Sequence, residues 1–390
     1  MAKEETGKIN INLVSFIPNL VGMEAHVLPY HQSVTQAANM INWQHIVIFA
    51  PHPSVKELPS NWIPCLSTND LELDGNLLQK ITKIISAFKL GRNGANYLRH
   101  QILNSSEHTI IFLERFIHLQ LLALVFTLLF IPTEKIHVWL LYRRDTHKAK
   151  TRFIYKFLNN IIKRIIRPYR LQLLTDSELL SKSLSNYFQE PVMVMPIPHT
   201  DLIISDSFVD KNDQIVCWLP GYLRPEKGLE VMKSLVNCIT KEAKKISFVV
   251  AKSSGLTSGV DGVQIELIKN NLTRSEYSQW LMTCDIVLMP YDCKAYGERT
   301  SGIFTECVMA GKIPIVTQNT WMANELYKYH LEELAIEWED TTQVILTILK
   351  VSHEPNIKTK IASMQKQYEK FHNIESFSQK MKFIFEQSCS

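Results

Sequence analysis

Asp285-Ile286-Val287-Leu288-Met289-Pro290, Glu298-Arg299-Thr300-Ser301-Gly302-Ile303-Phe304-Thr305-Glu306 and Ile313-Pro314-Ile315-Val316 are the three pieces whose reading decides the fold. The two apolar runs have strand length and lack polar alternation, so both read as buried parallel strands. The polar segment between them has a carboxylate at each end and leads into a helix-like stretch. A polar strand-to-helix connection is where open α/β sheets bind ligands. Glu298 and Glu306 can grip two hydroxyl-bearing parts of one ligand. The competing reading is a solvated loop with two surface acids.

A second site upstream separates these readings. Gly221-Tyr222-Leu223-Arg224-Pro225-Glu226-Lys227-Gly228 follows another strand-like run, Ile215-Val216-Cys217-Trp218-Leu219. A helical pattern comes next, with Leu229, Met232, Leu235 and Val236 on one face. Glycine lets backbone approach a ligand closely. Arg224 can fork onto phosphate oxygens, Lys227 adds a point charge, and a helix N-terminus adds partial positive charge. One cationic and one anionic loop in the same α/β half point to a ligand with a diphosphate and a polyhydroxyl part. A nucleotide sugar has both.

Together the two segments resemble the retaining glycosyltransferases of family 4. Gly221 to Gly228 matches that family's Gly-x-x-Arg-x-x-Lys-Gly loop, and Glu298 to Glu306 its Glu-x7-Glu segment. Asp285-Ile286-Val287 before the acidic segment and Ala310-Gly311-Lys312-Ile313-Pro314-Ile315-Val316 after it agree as well. The match is specific over roughly Ile215 to Glu325 and looser before it. The resemblance implies an α/β protein of GT-B fold: two Rossmann-like domains facing a central cleft, with a C-terminal helix crossing back to the N-terminal domain. It also implies a metal-independent, retaining hexosyltransferase-type enzyme of glycolipid or polysaccharide biosynthesis. Such an enzyme uses no cofactor and takes a UDP- or GDP-sugar as co-substrate. Arg224, Lys227 and Glu298 would be the catalytic residues, with Glu298 on the donor sugar and Glu306 on the ribose. Gly221 and the backbone N–H groups of Ser301, Gly302 and Ile303 would line the donor. Gly22 matches a glycine that approaches the diphosphate from the other domain, although the family's usual double glycine is absent. Ser301 also departs from the family, which usually has glycine there.

Length is consistent with two domains, since 390 residues exceed one typical core. The expected division is 1–205 for the acceptor side, 206–372 for the donor side and 373–390 for the returning helix. Hydrophobic content of 46% without a biased tract indicates ordinary globular packing. A net charge of +4 does not imply nucleic acid. The seven cysteines are scattered and form no CxxC pair, which fits a reducing cytosol and neither a zinc site nor a disulfide scaffold. Met1 to Lys8 lacks the apolar core of a signal peptide. The expected location is therefore cytoplasmic, with peripheral attachment to the inner face of the cytoplasmic membrane as an option. No phosphate loop, Gly-x-Ser-x-Gly elbow or His-Glu-x-x-His helix occurs.

In the first half, strand ends place Glu114 and then Arg143, Arg144 and Asp145 where an acceptor would enter. They read equally as acceptor contacts or as a salt-linked structural cluster. Many relatives carry a histidine at such a strand end; here Tyr142-Arg143-Arg144 stands there, with His147 beyond. His26 and His31 on the first helix read as structural or surface residues. Ser177 and its neighbours read as a helix N-cap. Leu119 to Ile131 is apolar but shorter than a spanning helix, so it reads as a core helix.

Lys148 to Arg170 holds Lys148, Lys150, Arg152, Lys156, Lys163, Arg164 and Arg167 without an acid, interleaved with apolar residues at helical spacing. Such a helix either docks on an anionic bilayer or packs on its own domain with a solvated basic face. The expected partners are therefore a nucleotide-sugar donor, a lipid-linked or saccharide acceptor and an anionic membrane, with no nucleic acid. Two rival functions share the fold: a sugar-nucleotide epimerase or hydrolase, and a non-catalytic membrane-associated subunit.

Overall fold

The computed structural model describes residues 11–21, 27–51, 58–67, 71, 77–103, 108–198, 214–238, 240–257 and 263–389. The chain divides into two compact units, Met1–His199 with Ile374–Ser390, and Thr200–Asn373.

Unit 1 holds strands β1 (Ile11–Val21), β2 (Gln44–Pro51), β3 (Trp62–Ile63), β4 (His108–Glu114), β5 (Ile136–Tyr142), β6 (Leu171–Thr175) and β7 (Val192–Val194). All pair in parallel, in the order β3-β2-β1-β4-β5-β6-β7. Its helices are α1 (Val27–Met40), α2 (Leu77–Leu103), α3 (His118–Leu129), α4 (Arg152–Ile166) and α5 (Glu178–Phe188). β5 is buried along its whole length, as expected of a strand covered on both faces. Ser177 caps α5, its hydroxyl accepting from the Leu180 N–H at 3.1 Å.

Unit 2 holds β8 (Ile215–Trp218), β9 (Ile246–Ala251), β10 (Gln264–Ile268), β11 (Ile286–Met289), β12 (Ile313–Thr317) and β13 (Ala335–Ile336), again all parallel, in the order β10-β9-β8-β11-β12-β13. Its helices are α6 (Leu229–Val236), α7 (Arg274–Thr283), α8 (Cys293–Tyr296), α9 (Gly302–Met309), α10 (Trp321–Tyr327), α11 (Thr341–His353) and α12 (Pro355–Phe371). Both sheets therefore reverse strand order once, between β1 and β4 and between β8 and β11. In a parallel sheet the connections leaving such a pair diverge to opposite faces and open a crevice at the strand C-termini.

The last helix, α13 (Ile374–Gln387), belongs to unit 1. Phe377, Met381, Ile384 and Phe385 are buried in one cluster with Tyr30 and Ala37 of α1 and with Trp43 and Trp139. Phe383, in the same apolar pattern, points outward instead. The i, i+4, i+7 and i+8 positions make the inward stripe, and residue 383 falls off it.

α3 buries Leu121, Ala123, Leu124, Val125 and Leu128, so the apolar run is a core helix, although Leu129 and Phe130 at its end are exposed. No described helix is long and apolar enough to cross a membrane.

Candidate functional site

In unit 2 the two sequence segments emerge side by side at the strand-order reversal. β8 ends at Trp218 and runs into Gly221–Gly228; β11 ends at Met289 and runs into Pro290–Ser301. Backbone joins them, with the Asp292 N–H donating to the Glu226 carbonyl at 3.0 Å. Gly228 has φ +82°, and a Cβ there would collide with the Pro290 carbonyl oxygen and ring. Only glycine satisfies both the left-handed backbone and that approach. Gly221, also at φ +82°, leaves room for Lys227, whose Nζ would lie 3.8 Å from a Cβ at that position.

Lys227 reaches across to Tyr291, its Nζ 5.5 Å from the ring centroid, a cation–π distance. Tyr291 is buried against Tyr296, ring centroids 4.5 Å apart. Burial raises its phenol pKa, with the neighbouring Tyr296 adding to the effect, so the hydroxyl stays protonated. Arg224 is half in solvent, its Nε 3.2 Å from Glu226 Oε1. Arg299 lies over Tyr296, 4.1 Å from the ring centroid. The cationic loop and the start of the acidic segment thus form one continuous surface with two tyrosines as its floor.

Glu298 is half-buried in the turn between α8 and α9. Ser301 caps α9, its hydroxyl accepting from the Phe304 N–H at 3.3 Å. A local capping role therefore explains a serine at this position. Ile303 is buried and Gly302 is half-buried at the first turn of α9. Glu306, on the inward face of α9, is only 2% exposed. Arg274 Nη1 donates to its Oε1 at 2.6 Å and the Tyr277 hydroxyl to its Oε2 at 2.7 Å. The sequence reading missed Arg274, Tyr277 and Tyr291. Arg274 and Tyr277 lie about thirty residues from their partner on a short, mostly polar helix, and pairing over such separations leaves no local pattern.

Unit 1 gathers a second charged group at its own strand ends. Glu114 closes β4, Arg143 follows β5 and Asp176 follows β6. Arg143 Nη1 lies 3.3 Å from Glu114 Oε2, and its Nε lies 3.4 Å from Asp176 Oδ2. His31 Nε2 approaches Glu114 Oε1 at 3.3 Å, and Arg143 stacks on the Tyr30 ring at 4.3 Å. Burial pushes the Glu114 carboxyl upward, but Arg143 and His31 outweigh it and hold the pKa at about 2. Glu114 and Arg143 are thus salt-linked within the unit, whereas Arg144 is exposed and Asp145 half-buried, 3.9 Å from Lys148 Nζ. His31 is fully buried inside this network, as a structural reading requires. His26 and Gly22 lie outside the described residues.

The basic stretch resolves into a turn carrying Lys148 and Lys150, then α4, then Arg167 beyond it. Its apolar residues split into two faces. Tyr155, Leu158, Ile162 and Ile166 are buried with Asn159, which accepts from the Tyr142 hydroxyl at 3.0 Å. Phe153, Ile154 and Phe157 are exposed, at 66%, 40% and 63%. Lys163 is removed from the basic face: it is mostly buried and ion-paired with Glu190. Among the described residues no group of three or more His, Cys, Asp or Glu side chains is arranged to hold a metal ion.

No protein-family model matches this chain, and no curated protein matches it. Solved structures do. The N-terminal domain of a Candida albicans trehalose-6-phosphate phosphatase aligns with a TM-score of 0.66 at 10% identity, covering 99% of each chain. The Anabaena protein Alr3699/HepE, solved in complex with UDP and glucose, aligns at 0.58 and 10% identity, over 96% of this chain and 99% of that one. WaaG, a glycosyltransferase involved in lipopolysaccharide biosynthesis, aligns at 0.54 and 10% identity, over 95% and 98%. Likeness over nearly whole chains, with two parallel six- and seven-stranded sheets, defines this molecule as a GT-B-fold protein with two Rossmann-like domains. At such identity the likeness concerns fold, and activity has to be argued from the site.

Proposed function

We propose that this protein is a retaining glycosyltransferase of the family 4 type, moving a sugar from a UDP- or GDP-sugar to a hydroxyl acceptor in glycolipid or polysaccharide biosynthesis. The observation that carries the reading is the meeting of Gly221–Gly228 with Pro290–Ser301 at the strand-order reversal of unit 2. The neighbour structure holding UDP and glucose supports the donor class.

In this reading unit 2 binds the donor and unit 1 the acceptor. The anomeric C–O bond to phosphate breaks, a C–O bond to the acceptor oxygen forms, and the hydroxyl proton leaves with the diphosphate. Negative charge grows on the departing phosphate oxygens. Lys227, held over Tyr291, and the half-exposed Arg224 stabilise it, as preorganised cations do. The N–H groups opening α6 after Gly228 add partial positive charge. These groups do the neutralising work otherwise given to a metal ion, so the reaction is metal-independent. Glu298 contacts the donor sugar and Glu306 the ribose. Glu114, Arg143, Arg144 and Asp145 are the acceptor-side candidates, with Glu114 and Arg143 ion-paired to each other and Arg144 exposed.

The protein also docks peripherally on an anionic bilayer, at the inner face of the cytoplasmic membrane. Phe153, Ile154 and Phe157 are exposed on α4 beside Arg152 and Lys156, and α4 contains no acid. Lys148, Lys150, Arg164 and Arg167 extend the basic face, without Lys163.

The test is product analysis with UDP- and GDP-sugars in the presence and absence of hydroxyl acceptors. Sugar appears on the acceptor for the wild type, and Lys227→Ala lowers turnover about a hundredfold or more with the melting temperature unchanged. Wild-type turnover by Lys227→Ala removes the diphosphate assignment. Nucleotide release without transfer at any acceptor identifies a hydrolase instead.

A further inference from the structure

We propose that Arg274 and Tyr277 are positioning residues for Glu306, fixing and neutralising its carboxylate so that it accepts from both hydroxyls of a nucleotide ribose. The proposal rests on the assignment of Glu306 to the ribose and goes beyond it. A carboxylate offers about four lone-pair sites, two on each oxygen. Tyr277 fills one on Oε2 and Arg274 one on Oε1. One acceptor site therefore remains on each oxygen, the number a vicinal diol can fill with its two O–H donors.

The clamp is itself held in place. The Tyr277 ring meets Trp218 edge-on at 5.0 Å, and Trp218 is fully buried at the end of β8. Burial, reinforced by the neighbouring Glu306 charge, raises the Tyr277 phenol well above its usual value, so it remains a donor. Arg274 opens α7, whose start is fixed by a reciprocal cap. The Thr273 hydroxyl accepts from the Glu276 N–H, and the Glu276 carboxylate accepts from the Thr273 N–H at 2.8 Å. The Arg274 guanidinium lies 5.5 Å from the Tyr277 ring centroid, so the two clamp residues also brace each other.

Charge gives the second reason for an arginine. A buried carboxylate without a cation would repel an incoming nucleoside diphosphate. Arg274 cancels that charge while remaining 30% exposed at the site's edge. The arrangement predicts discrimination at the ribose rather than at the sugar or the diphosphate.

The experiment is calorimetric titration of the full chain with uridine and guanosine diphosphates, each compared with its 2′-deoxy and 3′-deoxy forms. Wild type prefers the ribo form by about tenfold per hydroxyl, the worth of one hydrogen bond to a charged group. Tyr277→Phe, which keeps the ring on Trp218, and Arg274→Met both reduce that preference to less than about threefold. Arg274→Lys restores charge without the fork and recovers overall affinity more than discrimination. Retention of the wild-type preference by either Tyr277→Phe or Arg274→Met, while Glu306→Gln loses it, overturns the clamp and leaves the ribose assignment standing. Retention by Glu306→Gln itself, or no binding of either diphosphate by wild type, overturns both.

Discussion

Unit 1 and unit 2 each place charged side chains at the C-terminal ends of central parallel strands, yet they use them differently. In unit 1, Arg143 lies between Glu114 and Asp176, with His31 closing the far side, and the Glu114 side chain is only 7% exposed. In unit 2, Lys227 lies against an aromatic face and Arg224 is 51% exposed. The first group is compensated within the unit; the second presents cations to solvent. Equivalent positions in two similar folds therefore do not imply equivalent roles. The deciding quantity is how deeply the charges are buried in the folded chain.

The largest expected effect comes from breaking the compensated group. Arg143→Met leaves Glu114 and Asp176 buried without their cation and should cost unit 1 about 3–5 kcal/mol in urea unfolding. A variant of near-normal stability that has lost only acceptor binding would move this cluster into the same category as the unit 2 cations.

Acid comes next. Burial holds His45 neutral in the folded state, with a pKa of about 3, and holds His137 at about 3 as well. Both lie far below the ordinary histidine value of about 6.5. Depressed folded-state values mean that the unfolded chain binds protons first. The stability from these neutral histidines is complete above about 6.5 and is lost progressively as pH falls toward about 3. At pH 5 the loss is on the order of 2 kcal/mol per histidine. Glu114 adds a later loss, beginning below about 4.5 and complete as pH falls through about 2. Unit 2 carries one such histidine, His372, which burial lowers to about 4. Hydrogen exchange followed by mass spectrometry should show unit 1 losing protection before unit 2 as pH drops from 7 to 4. Simultaneous or reversed loss would contradict the contrast between the units.

The smallest effect concerns the outer face of α4. Each cation near an anionic surface contributes about 1 kcal/mol, so neutralising Arg152 and Lys156 should weaken binding to phosphatidylserine vesicles about thirtyfold. Phe153→Ser with Phe157→Ser should weaken it further. Lys163→Gln should change vesicle binding little, because that lysine is paired with Glu190. Equal sedimentation of all variants would return the face to ordinary solvation.

Much of this molecule is legible in its sequence for local reasons. The apolar runs at Ile215, Asp285 and Ile313 are buried parallel strands because continuous apolarity suits a strand covered on both faces. The glycine at 228 stands out in the loop pattern, but its left-handed backbone and its approach to Pro290 are set by the fold. The apolar pattern Phe377, Met381, Phe383, Ile384 and Phe385 marks a helix with a buried face, but only the fold shows that Phe383 lies off that face. Less was legible where one pattern served two ends. The apolar residues of α4 share helical spacing, yet Leu158 faces the core and Phe157 the solvent. Neighbouring positions differ by about 100° around a helix, and composition alone does not say which arc the rest of the unit covers.

The sequence by itself determined the apolar strands at Ile215, Asp285 and Ile313 and the two loops beside them, because each depends on residues close together in the chain. Only the tertiary structure decided what each charge meets. Glu306 meets Arg274 and Tyr277, Lys163 meets Glu190, and Glu114 meets Arg143 and His31. These partners lie tens of residues apart, and sheet order and register bring them together. A carboxylate's role follows from those partners, since they fix its charge state and the lone pairs it has left to offer.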